Sequence, residues 1–221
     1  LVVAEHRIEG DSLGRIPFYP VLGNHEQNTP IFDRLFVLPG TREYWSQRRG
    51  DVLFIGIDGQ RNWQKGSDLY NRMEEQLRST TAKYIFLLTH YPAASSSSHG
   101  KVDEQGGYKE RAMRYSRDVL APLCAKYGVA AIIAGHDHCY ERSELEGVTA
   151  ITSGGAGASN YPKAEDAELR NPHSKVFWSG LHYLLFDVGP DEIRMRAIDL
   201  KGKVLDTRTW KPRVTTPAPV K

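Results

Sequence analysis

The sequence predicts an α/β fold, with a parallel or mixed β-sheet and helices on its faces. Three observations point there. Short apolar runs of strand length recur at residues 52–57, 84–89 and 129–134. Amphipathic helical segments lie between them, and such alternation buries a sheet under helices. The closing third of the chain alternates apolar and polar residues around strong turn signals, the pattern of antiparallel strands.

Taken in order, residues 1–15 are polar and mixed and suit the end of a helix, with His6 solvated on it. Residues 16–22 enter as an extended segment whose prolines sit where a strand tolerates them, with Asn24 and His25 as its cap. Residues 30–36 suit a short helix, ended by Leu38-Pro39-Gly40. Residues 43–46 and 51–57 suit two adjacent strands joined by a turn at 48–51, and Asp58 closes the second as a structural carboxylate. Residues 67–79 suit a helix, because Leu69, Met73 and Leu77 repeat at i, i+4 and i+8 and form a core stripe. After the strand at 84–89, residues 93–107 are rich in Ser and Gly, the composition of a flexible solvated loop overhanging the strand end.

Residues 111–127 suit another helix, with Leu120, Leu123 and Cys124 on its apolar side and Gly128 at its end. The strand at 129–134 follows, then one at 148–152. Residues 153–158 suit a tight glycine-rich turn, without the Lys-Ser/Thr of a Walker loop. Residues 160–175 are polar and suit a surface excursion. Residues 183–188 and 192–198 suit a hairpin around Gly189-Pro190-Asp191, with Ile193, Met195 and Ala197 facing inward. A closing strand is expected at 204–207. His182, just before the hairpin, is expected to be structural. The organisation expected is one domain over residues 1–210 and a Pro/Thr-rich tail over 211–221.

A chain of 221 residues can bury a sizeable core, and 40% hydrophobic with 25% charged content is that of a globular protein. A net charge of +2 gives no global field to attract nucleic acid or membrane, and no apolar run approaches the ~20 residues of a membrane span. Cys124 and Cys139 do not make a disulfide framework; Cys124 suits a core thiol. Leu1-Val2-Val3-Ala4 runs straight into charge and is no secretory signal, and a first residue of Leu suggests that the true start is lost.

Three apolar segments each lead into a histidine: Pro20-Val21-Leu22 into Gly23-Asn24-His25-Glu26, residues 84–89 into His90, and residues 129–134 into Gly135-His136-Asp137-His138. In open α/β sheets ligands bind beyond the carboxyl ends of strands, and imidazole is the commonest protein ligand for transition metals. The set therefore points to a metal site.

Those three motifs, in that order, resemble the last three signature motifs of the calcineurin-like metallophosphoesterases. Cys139-Tyr140-Glu141-Arg142 and Ile151-Thr152-Ser153-Gly154-Gly155 resemble the purple acid phosphatase branch. The resemblance implies a four-layer α/β/β/α sandwich of mixed sheets, with its N-terminal part missing. It implies Asn24, His90 and His136 as ligands of one metal, His138 as a ligand of a second, and His25 as general acid. His99 is a candidate for contacting phosphate. It implies two divalent or mixed-valence ions (Fe, Zn or Mn), a phosphate-ester substrate, and a secreted or periplasmic location. Two earlier motifs of the family have no convincing match: Gly10-Asp11-Ser12-Leu13-Gly14 mimics one, with Gly14 where Asp or Tyr is needed. The expectation is the carboxyl-terminal part of a phosphomonoesterase carrying part of a dinuclear site, with a phosphodiesterase, a nucleotidase or a non-catalytic remnant as alternatives.

Overall fold

A computed structural model describes residues 17–26 and 30–214. His6, Asp11 and the 10–14 mimic lie outside the described residues, as does Thr215-Thr216-Pro217.

A sheet of seven strands forms the centre: β1 (Tyr44–Arg49), β2 (Val52–Ile57), β3 (Tyr84–Leu88), β4 (Ala131–Ala134), β5 (Tyr140–Leu145), β6 (Val148–Ser153) and β7 (Ser174–Trp178), in the order β1-β2-β3-β4-β6-β5-β7. The pairs β2/β3, β3/β4 and β4/β6 are parallel, and the outer pairs are antiparallel, so the sheet is mixed as expected. Strands β8 (His182–Val188), β9 (Ile193–Asp199) and β10 (Val204–Trp210) form a second, antiparallel sheet.

Each face of the large sheet has its own core. On one, Leu53, Ile55, Ile85 and Ile132 meet Met73, Leu77, Leu120 and Leu123 from the helices. On the other, Val52, Phe86, Leu88 and Ile133 meet Leu184, Met195 and Trp210 from the small sheet. Strands buried on both faces must be apolar throughout, which is why β2, β3 and β4 appear in the sequence as unbroken runs. The described residues supply three layers of the sandwich: helices, large sheet and small sheet.

Helix α1 (Ile31–Leu35) is short, and α2 (Asp68–Ser79) starts where the Ser67 hydroxyl accepts from Tyr70 N. Its Met73 and Leu77 are wholly buried, a contribution of about 1.5–3 kcal/mol each. The helix expected over 111–127 is interrupted. Helix α3 (Arg111–Arg114) widens into a π segment (Tyr115–Leu120) before α4 (Ala121–Lys126). Pro122 has no N–H for the carbonyl four residues back, so the ladder changes spacing just ahead of it. Ser116 in the widened turn donates to Tyr91 O at 2.9 Å, pinning it to the chain beyond β3. Gly128 takes its positive φ of 67° at the helix end.

Three further expectations need correction. Residues 17–22 join neither sheet among the described residues; they are held instead by the Trp45 indole, which donates to Pro20 O at 3.0 Å. Strands β5 and β7 have no counterpart in the sequence reading. The serine-rich loop is buried in its first part, where Ser95, Ser96 and Ser97 are all 0% exposed, and exposed at Ser98, Lys101 and residues 104–106. Residues 160–175 are its cover: Ala164 N donates to Ser96 O and Arg170 Nη1 to Ser97 O. They also contain a short helix, α5 (Ala167–Arg170).

Asp58 is structural, as expected: buried, it accepts from Gln60 N at 2.9 Å and pairs with Arg61. Both cysteines are buried and free. Beyond β10 the chain stays attached, since Arg213 donates to Ala82 O at 2.7 Å.

Candidate metal centre

Three segments converge beyond the carboxyl ends of β3 and β4. The 3-10 turn Asn24–Glu26 supplies Asn24, the residue after Thr89 supplies His90, and Gly135 turns the chain into His136. His90 Nε2 lies 2.8 Å from Asn24 Oδ1 and 3.1 Å from His136 Nδ1. Neighbouring ligands on an octahedral ion with bonds of ~2.1 Å stand ~3 Å apart, so these donors have the spacing of a coordination sphere. One amide oxygen and two imidazole nitrogens suit Zn, Fe or Mn.

Backbone choices make this convergence possible. A Cβ on Gly23 would sit 2.8 Å from His90 Nδ1, so the turn can approach the imidazole only as glycine. Glu26 closes the turn by accepting from Gly23 N at 2.6 Å, a structural role for that carboxylate. His136 has φ 66°, the one positive value on a non-glycine among the described residues. That conformation costs about 1–2 kcal/mol, the kind of local strain found at functional sites. It is fixed by hydrogen bonds from Gly135 N to His90 O and from Asp137 N to Gly135 O.

Burial, reinforced by the neighbouring His136, holds the His90 imidazole down at about 3. His90 is therefore neutral near pH 7, the form that can ligate. The other nitrogen of His136, Nε2, faces Glu110 Oε2 at 2.8 Å. Glu110 Oε1 takes His99 Nδ1, and the His99 ring lies 3.9 Å from that of His136. Donor atoms of His99, Glu110 and His136 all lie within 4.8 Å of one another. Burial pushes the Glu110 carboxyl up, but hydrogen bonds from His136 and His99 outweigh it and hold it at about 2. The same hydrogen bond raises His99.

His138 stands apart from the other three ligands. Its Nδ1 donates to Ser159 O at 2.9 Å and its ring stacks on Tyr161 at 4.3 Å. That hydrogen bond fixes the tautomer and leaves Nε2 with its lone pair. His25 is exposed at the rim. The structure thus brings Asn24, His90 and His136 together, adds His99 through Glu110, and leaves His25 and His138 outside the cluster.

Beneath the site lies a buried polar network with no obvious trace in the sequence. Asp137, between the two histidines, accepts from Ser95 Oγ and from His99 N at 3.0 Å. Glu141 accepts from Ser96 N at 2.8 Å, Ser96 Oγ at 2.6 Å and Asn171 Nδ2 at 2.9 Å. The glycine-rich turn closes over it: a Cβ on Gly154 would lie 2.1 Å from Asp137 O. Beside His90 opens a cleft of about 360 Å³, walled by Tyr19, Val21, Leu88, Ile133 and Leu184.

His182 is structural, as expected; its Nδ1 donates to Gly180 O and its Nε2 accepts from Ser153 Oγ. Glu110, Asp137, Glu141 and Tyr161 were missed. Asp137 and Glu141 lie inside the motifs already singled out, but nothing in the sequence marked their side chains as buried acceptors.

The chain resembles known proteins over most of its length. The family model described as calcineurin-like phosphoesterase matches residues 4–140. Purple acid phosphatase 3 of Arabidopsis thaliana is 25% identical over 187 residues, covering 83% of this chain and 44% of that protein. Tartrate-resistant acid phosphatase type 5 of Rattus norvegicus is 28% identical over 152 residues, covering 66% and 42%. Purple acid phosphatase PPD1 from yellow lupin (Lupinus luteus) seeds superposes with a TM-score of 0.67 at 22% identity, covering 83% of this chain and 38% of that one. The chain thus spans less than half the length of these relatives.

Proposed function

The chain belongs to the calcineurin-like phosphoesterase family, and from that premise we propose that it is the metal-bearing part of a hydrolase acting on phosphomonoesters. The observation that carries the proposal is the approach of Asn24 Oδ1, His90 Nε2 and His136 Nδ1 to separations of 2.8 and 3.1 Å. In this proposal those three residues hold one ion, and His138 contributes Nε2 to a second. The ions are Fe, Zn or Mn, divalent or of mixed valence. When bound, they would supply positive charge that offsets the negative charge of the phosphate and makes an attacking water more acidic.

The chain's own residues do the rest. His99, its Nδ1 tied to Glu110, meets a phosphate oxygen through Nε2–H in this proposal. His25 at the rim donates a proton to the departing alkoxide, a step that imidazole performs well near neutral pH. The cleft beside His90 takes the apolar part of the substrate. A secreted or periplasmic location belongs to the same proposal and rests on family resemblance alone.

Because His138 is the second ion's one proposed ligand among the described residues, the 221-residue chain should bind metal weakly and hydrolyse slowly on its own. The experiment is titration with Zn²⁺ or Mn²⁺, followed by assay of an aryl phosphate and a bis-aryl phosphate. Binding of neither ion would overturn the metal centre. Turnover matching a full-length relative would overturn the incomplete second site. Preference for the diester would make the enzyme a phosphodiesterase. Metal binding with no turnover of either ester would leave a non-catalytic metal-binding protein.

A further inference from the structure

Glu110 lies in none of the motifs that mark the metal centre, yet it touches two of its histidines. It immediately precedes α3, and its carboxylate reaches across to the end of β4. One oxygen faces His136 Nε2 at 2.8 Å and the other takes His99 Nδ1. An ionised carboxylate only accepts, so each imidazole must present an N–H to it. For His136 this places the proton on Nε2 and leaves the lone pair on Nδ1, the nitrogen that faces His90 Nε2 at 3.1 Å. A histidine that ligates a metal commonly has its other nitrogen held this way, by a carboxylate or carbonyl that sets both tautomer and ring angle.

We propose that Glu110 is a positioning residue for both His136 and His99, one carboxylate presenting a metal-ligating nitrogen on the first and aiming the second toward the same site. The inference rests on the metal-centre reading above. Three further features support it. The two rings it joins are in contact, their centroids 3.9 Å apart and their planes tilted by 43°. The backbone of His99 is separately anchored to Asp137, so only its ring needs a further constraint. The backbone of His136 is separately fixed in its left-handed conformation, so there too only the ring needs a further constraint.

Two measurements on the full 221-residue chain test it. The first is calorimetric titration of Zn²⁺ and Mn²⁺ into wild type, Glu110→Gln and Glu110→Asp, with circular dichroism to establish folding. Gln can accept one of the two N–H groups but sets an NH₂ against the other, so binding should weaken ~10–100-fold, the usual effect of removing such a partner. Asp keeps both acceptor oxygens and should recover part of the loss. Equal affinity in wild type and folded Glu110→Gln would overturn the proposal.

The second measurement needs no variant. Nitrogen-15 NMR of the metal-free wild-type imidazoles should show His136 protonated on Nε2 and His99 carrying a proton on Nδ1. A proton on His136 Nδ1 alone would overturn the proposal even if Glu110→Gln fails to fold. If wild type binds neither ion, the proposed function falls, while the tautomers still decide the role of Glu110.

Discussion

Asn24 Oδ1 and His90 Nε2 stand 2.8 Å apart although 66 residues separate them in the chain. No covalent constraint explains that approach. It depends on a glycine at 23 and on a strand that delivers His90 to the same spot. Replacing His90 by Ala should therefore abolish the rise in melting temperature that Zn²⁺ or Mn²⁺ gives the wild type. An ion at 100 times its dissociation constant stabilises a single site by about 2.7 kcal/mol, and scanning calorimetry with and without metal reads the difference. An undiminished rise in His90→Ala would remove His90 from the ligand set.

His136 offers a prediction that needs no metal. Its φ of 66° favours glycine over any residue with a Cβ. His136→Gly should be about 1 kcal/mol more stable than His136→Ala in urea unfolding. Equal midpoints would mean that the backbone relaxes away from the left-handed region.

The buried serine loop depends on Glu141. Glu141→Ala would leave Ser96 N and Ser96 Oγ without their acceptor in the interior, and Asn171 Nδ2 with Ser143 Oγ alone. The expected cost is about 3 kcal/mol, together with new proteolytic cleavage between residues 93 and 107. A variant with wild-type stability and an uncut loop would show that the network contributes little.

Acid sensitivity follows from His182. Burial lowers its pKa below the unfolded value, so between the two values the unfolded chain binds the extra proton. Its contribution is then complete above about pH 6.5 and falls as the pH drops toward the folded value, with a slope of at most ~1.4 kcal/mol per pH unit. Unfolding of wild type and His182→Asn at pH 7 and pH 5 should show the smaller loss in the variant. Parallel losses would assign the acid sensitivity elsewhere.

How much of this could be read from the chain alone varies with the range of the interactions. Strands β2, β3 and β4 were legible because burial on both faces leaves unbroken apolar runs. His90 and His136 drew attention because each follows the end of such a run, whereas the segment before Asn24 joins neither sheet. Strand β5 was not: its buried positions include Glu141 and Ser143, and a carboxylate there suits a core only when the Ser96 and Asn171 side chains arrive to satisfy it. The same long-range partners hid the burial of Ser95–Ser97, whose composition alone is that of a solvated loop. Glu110 gave no local signal, since its partners lie 11 and 26 residues away on other segments.

The carboxylates of Asp137 and Glu141 have a consequence for anyone who would transplant this site. They lie in the same eight-residue stretch as His136 and His138, and their acceptor oxygens are used by the serine loop and by Asn171. A graft of that octapeptide into another scaffold would carry the imidazoles and bring along two carboxyl groups whose hydrogen-bond donors stay behind. The portable unit is therefore the octapeptide together with the loop and its cover, three pieces of one chain that have to travel as a set.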